Sequence, residues 1–209
     1  MADPPAAWWA RFPEGEPGPS ARRHWVAVLS DEFPAGTVVD LPGGSRPSRW
    51  LLAVLADIGG ERVHRVEVRT AGAPLLWYVE LPDPGAAPAA ATLLAFSDPR
   101  HPEGTVLTAD RARADGVSSG EQVAALRWWT ASGVVHQLYV APAQRRRGVA
   151  TKLSHVAYGL QMARGLPPLH GDGRRTDDGE RWRRGMPAYA AARMAPWSQR
   201  LPSMTPGEA

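Results

Sequence analysis

Residues 138–153 read Leu-Tyr-Val-Ala-Pro-Ala-Gln-Arg-Arg-Arg-Gly-Val-Ala-Thr-Lys-Leu, and this stretch decides the fold of the second half of the chain. Its apolar start predicts a short strand, its arginines with Gly148 predict a turn, and the residues from Val149 predict a helix. Such a connection directs several unpaired main-chain N–H groups toward one point, where the helix dipole and the arginines add positive charge. The stretch therefore predicts a binding site for a phosphate or pyrophosphate group.

The residues around this stretch predict a β-hairpin before the turn and a long helix after it. Residues 122–129 and 134–140 are two strand-like runs joined by the short turn Thr130-Ala131-Ser132-Gly133. After the turn, apolar residues recur every three or four positions, as on one face of a helix, at Val149, Leu153, Val156, Leu160 and Ala163. Gly165, with two prolines behind it, predicts the end of this helix.

The rest of the chain predicts mainly short strands, and we find no internal repeat in it. Strands are expected over residues 25–29, 37–41, 63–69, 75–81, 92–96 and 105–108. Ser48 is expected to cap a helix through residues 50–55, residues 110–115 to form one helical turn, and Thr176 to cap a last helix through Trp182. These elements predict an α/β fold class, of the α+β kind with a mixed sheet.

Composition limits the classes of protein to which the chain can belong. At 209 residues with 44% hydrophobic residues, the chain can form one domain with a substantial core. It has no cysteine, which excludes disulfides, thiolate metal sites and a cysteine nucleophile. No histidine or carboxylate spacing indicates a metal site. The longest apolar run, residues 50–56, is too short to span a bilayer, and the N-terminus has no signal pattern, so we expect a cytoplasmic protein with no membrane partner.

The charge distribution favours an anionic ligand in the second half. The net charge is +3, and the residues after 115 are basic while those before are acidic. A nucleic acid would also suit this asymmetry, through the arginines at positions 145, 146, 147, 174, 175, 181, 183 and 184. Few aromatic residues lie among these arginines, which argues against a base-stacking reader. Neither a Walker loop nor a Gly-x-Gly-x-x-Gly turn is present, so neither a nucleoside-triphosphate loop nor a dinucleotide fold is expected.

The pattern Arg145-x-x-Gly148-x-Ala150, between a strand and an amphipathic helix, resembles the Arg/Gln-x-x-Gly-x-Gly/Ala turn of the Gcn5-related N-acetyltransferase (GNAT) superfamily. The later motif, His170 followed by Arg175-Thr176-x-x-Gly179-x-x-Trp182, is similar to the end of small actinobacterial and actinophage members. The resemblance covers residues 120–186. Residues 23–115 resemble the superfamily only loosely, as a divergent start of the same sheet or as a separate small domain.

The resemblance implies a central, splayed mixed sheet flanked by helices. Residues 23–186 would form one acyltransferase domain, of which 120–186 bind acetyl-CoA. Residues 1–22 would be an irregular extension that packs through Trp8 and Trp9, and residues 187–209 a tail. A monomer and a homodimer both fit this arrangement.

The resemblance also implies the co-substrate and the residues that hold it. Acetyl-CoA (coenzyme A) would donate its acetyl group directly to an amine of a small molecule or a protein. Main-chain groups of Leu138 and Val140 would bond the pantetheine arm and the acetyl carbonyl. The pyrophosphate would be held by Arg145 and by the main-chain N–H groups of Arg146, Arg147, Gly148, Ala150 and Thr151.

His136 is the first candidate for the general base. It lies two residues before Leu138, so strand alternation places both on one face, and a histidine pKa near 6.5 suits proton transfer near neutral pH. A histidine that only bonds a neighbouring strand is the alternative. His170, where the sheet should splay, is the second candidate, with a structural loop histidine as its alternative.

Other side chains have weaker claims to a catalytic role. Asp172 and Glu180 are further candidate bases, with solvated or capping roles as the alternative. His155 is expected on the surface, and Tyr139 is expected on the opposite side of the strand from His136. The superfamily's usual acid, a tyrosine after the fifth strand, has no counterpart between residues 177 and 185. A non-catalytic protein that binds acyl-CoA or a partner therefore stays open beside the enzyme.

Overall fold

The computed structural model describes residues 7–14, 21–42 and 46–203, and these form an α+β fold with mixed sheets and few helices. The first half contains β1 (Ala7–Glu14), β2 (Arg22–Leu29), β3 (Val38–Asp40), β4 (Trp50–Asp57) and β5 (Val63–Val68). The second half continues with β6 (Trp77–Asp83), β7 (Ala90–Phe96), β8 (Val106–Thr108), α1 (Ala109–Ala114), β9 (Ala124–Trp129) and β10 (Val135–Val140). The chain ends with α2 (Val149–Ala163), β11 (Arg174–Arg175), α3 (Asp177–Arg184), α4 (Ala188–Ala191) and β12 (Gln199–Arg200).

Ten of these strands form two five-stranded sheets. The first has the order β3-β1-β2-β4-β5 and the second the order β10-β9-β7-β6-β8. In each sheet one outer strand is parallel to its neighbour, β3 to β1 and β8 to β6, and all other neighbours are antiparallel. A bridge between Arg65 and Thr105 joins the two sheets at β5. Residues 23–115 are thus divided between two sheets, and both sheets contribute to one core.

The two sheets are structural repeats of each other, which the sequence analysis did not detect. Each places its third strand beside its first and its fourth beside its second. The turn before the third strand is the same in both: Gly36 and Gly104 have φ of 78° and 81°. Gly36 donates its N–H over 2.9 Å to the carbonyl of Ala7, the residue before Trp8. Gly104 likewise donates over 2.8 Å to the carbonyl of Leu76, the residue before Trp77.

Side chains at equivalent places confirm the repeat. Trp8 meets Phe33 edge-on with ring centroids 4.8 Å apart, and Trp77 meets His101 edge-on at 4.6 Å. The fifth strand of each sheet starts with Val-His, and in both the register skips the histidine, which forms a β-bulge. The repeat is hard to see in the sequence because its shared residues are few and the loops between them differ in length.

Helix α2 occupies the centre of the structure. Eleven of its fifteen residues are buried, and it packs against strands of both sheets. A Cβ atom on Gly159 would come within 2.8 Å of Val54 and 3.1 Å of Leu52, so the missing side chain lets the helix approach β4 closely. The apolar stripe predicted for this helix is confirmed, because all five of its residues are buried.

The third side of α2 is covered by the C-terminal segment. Arg193 lies over the ring of Tyr158 at 4.0 Å and donates to its hydroxyl over 3.0 Å. His155, on the same side, has its ring near Tyr189 and is only 7% exposed. The prediction that His155 lies on the surface was therefore wrong, because this segment covers the side of the helix opposite the sheets.

Two further predictions fail in the first half. Residues 50–55 form β4, not a helix, because their apolar run lies in a central strand with β2 and β5 on its two sides. Residues 7–14 form a strand, not an irregular extension, and Trp9 is fully buried in the core. Residues 1–6, 15–20 and 204–209, which belong to the predicted extension and tail, lie outside the described residues.

The predictions for the second half are largely confirmed. The hairpin β9–β10, the long helix from Val149 to Ala163 and the last helix from Asp177 are all present. Thr176 caps that last helix as predicted, since its hydroxyl accepts the N–H of Gly179. In the described part of the chain, no helix has the length and apolar character needed to span a membrane.

Burial of His155 predicts a stability that depends on pH. Desolvation, with the nearby charge of Arg193, lowers the pKa of His155 to about 4. The unfolded chain binds a proton near pH 6.5, whereas the folded chain does so only near pH 4, so stability falls as the pH is lowered through this window. We expect a loss of about 3 kcal/mol in the free energy of unfolding, measured by denaturant titration between pH 7.5 and 4. The His155→Gln variant should not show this pH-dependent loss of stability, whereas His170→Gln, which changes an exposed histidine, should show it. Equal pH profiles for the unmodified chain and both variants would contradict the prediction.

Candidate acyl-CoA site

The turn between β10 and α2 has an unusual backbone. A single 3-10 turn over Pro142–Gln144 leads into Arg146 and Gly148, which have φ of 62° and 74°. The left-handed conformation is natural for glycine but strained for arginine, and such strain is typical of functional sites. The main-chain N–H groups of residues 146–151 donate to no acceptor within the described ranges. Consecutive unpaired N–H groups at the N-terminus of a helix are an arrangement that favours an anion, so this turn is the candidate anion site.

The first half of the chain supports this turn from behind. A Cβ atom on Gly148 would lie 3.3 Å from Ala73 and 3.4 Å from Thr70, in the loop that follows β5. Lys152, the single lysine, is buried and donates over 2.8 Å to the carbonyl of Pro74, and it forms an ion pair with Glu103. The start of α2 is therefore held against the loop that follows β5 and the loop between β7 and β8.

Arg145 links the turn to its neighbours on two sides. Its Nε donates over 3.2 Å to the carbonyl of Val140, the last residue of β10. Its Nη1 lies 3.7 Å from Asp178 in the first turn of α3. Asp178 also lines a cavity of about 470 Å³.

The outer edge of β10 presents the main-chain groups of Leu138 and Val140. Ala141 donates to Val123 in the direction of β9, and strand alternation then directs the N–H and C=O groups of residues 138 and 140 away from β9. Among the described residues, the chain after α2 pairs with this edge at a single parallel bridge, Val134–His170, just before β10. At Gly171 it turns to pair with residues 193–195. The two segments therefore separate beside Leu138.

The structural repeat provides a counterpart for this strand edge in the first sheet. Val66 of β5 is the counterpart of Leu138, because each is the second residue after the bulged histidine. The N–H of Val66 faces the same way and donates over 2.8 Å to the carbonyl of Gly104. The equivalent N–H of Leu138 donates to no main-chain acceptor among the described residues, so a carbonyl group of a ligand could take the place of Gly104 there.

His136 lies on the opposite face of β10 from Leu138. The β-bulge at His136 interrupts the alternation, so Val135 and Leu138 both pack toward the core, whereas the exposed His136 ring lies 4.5 Å from the ring of Trp129 on the outer face. The expectation that His136 and Leu138 share a face was therefore wrong. Tyr139 shares the outer face with His136, contrary to expectation, for the same reason.

The other candidate bases differ in their surroundings. His170 is exposed, and its pairing with Val134 brings it near the start of β10, two residues from His136 in register. Burial would raise the pKa of Asp172, but hydrogen bonds from Arg174 outweigh it, and the net shift is downward. Glu180 is buried between Arg175 and Arg184, whose hydrogen bonds likewise lower its pKa against the effect of burial. Both carboxylates are thus held by arginines and are weak bases.

Most arginines of the basic half bind carboxylates of the same chain. Six of the eight arginines considered for nucleic acid pair in this way, namely Arg145, Arg174, Arg175, Arg181, Arg183 and Arg184. Guanidinium groups that are already paired offer less to a phosphate backbone, which argues against the nucleic-acid alternative.

Three groups near the site were not assigned to it by the sequence. The loop 70–74 carries no charged residue that would mark it as a support for the turn. Trp129, the last residue of β9, has its ring next to that of His136. Trp182 belongs to the quoted C-terminal motif, and its indole N–H donates over 3.0 Å to the hydroxyl of Thr151 in the turn.

Comparisons with known proteins add no relative to this description. No protein-family model, no curated protein and no solved structure matches the chain. The site is therefore interpreted from its own geometry and from the motif Arg145-x-x-Gly148-x-Ala150.

Proposed function

We propose that the chain is an N-acyltransferase that moves an acetyl group from acetyl-CoA to an amine, at the turn 145–151 and the adjoining edge of β10. One observation carries the proposal: six consecutive N–H groups that donate to no acceptor in the described part of the chain lie next to the outer edge of β10, which these residues leave unpaired beside Leu138. A diphosphate joined to an extended amide chain, as in coenzyme A, matches both parts. The resemblance of the same residues to the GNAT superfamily supports this assignment. The proposal includes a GNAT-like arrangement of the domain.

The turn suits the diphosphate end of coenzyme A. Its donors are main-chain N–H groups at fixed positions, the dipole of a fifteen-residue helix adds to them, and Arg145 stands beside them. Hydrogen bonds to a charged group are worth about 1.5–3 kcal/mol each. Thr151 adds a hydroxyl group in the first turn of α2.

The edge of β10 suits the pantetheine arm, which carries two amide groups. An extended chain with amides can add to a strand edge as another strand would. The hydrogen bond from the N–H of Val66 to the carbonyl of Gly104 is the model for such a contact. A ligand carbonyl at the equivalent place would accept the N–H of Leu138. The acyl carbonyl would then lie between β10 and residues 169–171.

The chemistry needs a neutral amine and a group that takes its proton. The amine nitrogen would attack the thioester carbon, the new C–N bond would form, and the C–S bond would break to release coenzyme A as a thiolate. His136 and His170 both lie near the start of β10, and either could take the amine proton directly or through water. The thiolate would take its proton from solvent or from the protonated histidine, since no tyrosine stands at the superfamily's usual place.

We predict that Gly148→Ala weakens coenzyme A binding, measured by calorimetry, by about tenfold. The added Cβ would crowd Ala73 and Thr70 and move the turn donors away from the diphosphate. Gly165→Ala is the matched control, because Gly165 also has positive φ but has open space around it at the other end of α2. Equal affinities in the two variants, with both folded, would place the ligand elsewhere.

We predict that His136→Gln lowers acetyl transfer to an amine by about a hundredfold or more, because glutamine cannot accept the proton. Release of free thiol from acetyl-CoA with a panel of amines measures the rate, and the acid limb of the pH–rate profile should change. Affinity for acetyl-CoA should stay close to that of the unmodified chain. His170→Gln is assayed in parallel, and full activity of both variants between pH 6 and 9 would rule out both histidines.

Native mass spectrometry of the purified protein separates the enzyme from a protein that only binds acyl-CoA. Coenzyme A retained without turnover on any amine would support the non-catalytic alternative. Absence of binding would reject the site itself.

A further inference from the structure

The C-terminal motif Arg175-Thr176-x-x-Gly179-x-x-Trp182 has a structural role that places α3 against the turn. Arg175 is buried in an ion pair with Glu180 and also donates to the carbonyl of Ala195, which fixes the start of α3. Thr176 caps the helix. Gly179 packs beside Arg175, since a Cβ atom on this glycine would lie 3.4 Å from that side chain. Two side chains of α3, those of Asp178 and Trp182, contact the turn 145–151.

The first contact determines how the hydroxyl of Thr151 can be used. A hydroxyl group has one proton to donate and two lone pairs. The indole N–H of Trp182 donates to the Thr151 oxygen over 3.0 Å and occupies one lone pair. The hydroxyl proton is left to donate to another acceptor, and Thr151 is in the first turn of α2 beside the unpaired N–H groups. Trp182 thus orients Thr151 as a donor.

The second contact opposes anion binding. The carboxylate of Asp178 lies 3.7 Å from the guanidinium of Arg145 and also pairs with Arg181. Arg145 is the charged side chain of the turn that the motif assigns to the diphosphate. A bound diphosphate would place its own negative charge near Asp178 and compete with Asp178 for Arg145. Asp178 is 57% exposed, so its effect is screened and modest.

We infer that α3 sets the affinity of the turn for the diphosphate of coenzyme A through two contacts of opposite sign. Trp182 is a positioning residue that increases affinity through Thr151. Asp178 decreases affinity because it shares Arg145 with the ligand. The inference rests on the proposed function, since it concerns the same turn, and it adds that a helix outside the turn regulates how tightly the turn binds.

The sharpest test is a gain of affinity, because damage to the fold cannot produce one. Asp178→Asn should raise the affinity for coenzyme A, measured by calorimetry, by about two- to fivefold. It should leave the affinity for pantetheine, which has no phosphate, unchanged. Asp177→Asn is the matched control: it removes the same charge from the same helical turn, but Asp177 pairs with Arg200 instead of Arg145. Its affinity for coenzyme A should not rise as that of Asp178→Asn does.

The second arm tests the loss. Trp182→Phe keeps an aromatic ring but has no N–H, and should weaken coenzyme A binding by about two- to tenfold. Trp197→Phe is the control, since Trp197 donates to Gln199 in the C-terminal segment. In a Thr151→Val background, which has no hydroxyl to orient, Trp182→Phe should have no further effect on affinity.

The outcomes separate this inference from the proposed function. If the unmodified chain binds neither coenzyme A nor inorganic pyrophosphate, the proposed function fails and this inference fails with it. If the unmodified chain binds coenzyme A but Asp178→Asn binds it equally or more weakly, only the inference is overturned. A further loss from Trp182→Phe in the Thr151→Val background would show that Trp182 acts through the fold rather than through Thr151.

Discussion

Helix α2 is buried on all sides, by the first sheet, by the second sheet and by the C-terminal segment, and the other features of the structure depend on this burial. A helix at the centre of a domain needs a covering layer on every face, and one five-stranded sheet cannot supply it. The repeated sheet covers one further face, with Gly159 allowing close approach to β4. The segment with Tyr189 and Arg193 covers the third.

The same burial creates the candidate site. The N-terminus of α2 reaches the surface where the two halves meet, so its unpaired N–H groups are supported by the loop 70–74 from one half and reached by α3 from the other side. The helix is held in place by a buried lysine, Lys152, whose ammonium group is paired with Glu103. The site is therefore formed by the whole chain, although its motif lies in one short stretch.

The two sheets differ at their equivalent edge strands, β5 and β10. The edge of β5 is paired with the turn before β8, and this contact joins the sheets. The edge of β10 has no such counterpart beside Leu138 within the described part of the chain, because residues 169–171 leave it after a single bridge. A main-chain contact that joins the sheets at β5 therefore has no equivalent at β10 among the described residues.

The sequence by itself determined the elements whose signals are local: the hairpin, the turn with Gly148, the apolar stripe of α2 and the Thr176 cap. Each depends on residues within a few positions of one another. Tertiary structure decided the rest. The run from Trp50 to Ala56 became a strand because β2 and β5 flank it, and His155 became buried because a segment more than thirty residues later covers it. The faces of His136 and Leu138 were decided by a β-bulge, which local alternation does not reveal because the bulge is defined only by the pairing with β9.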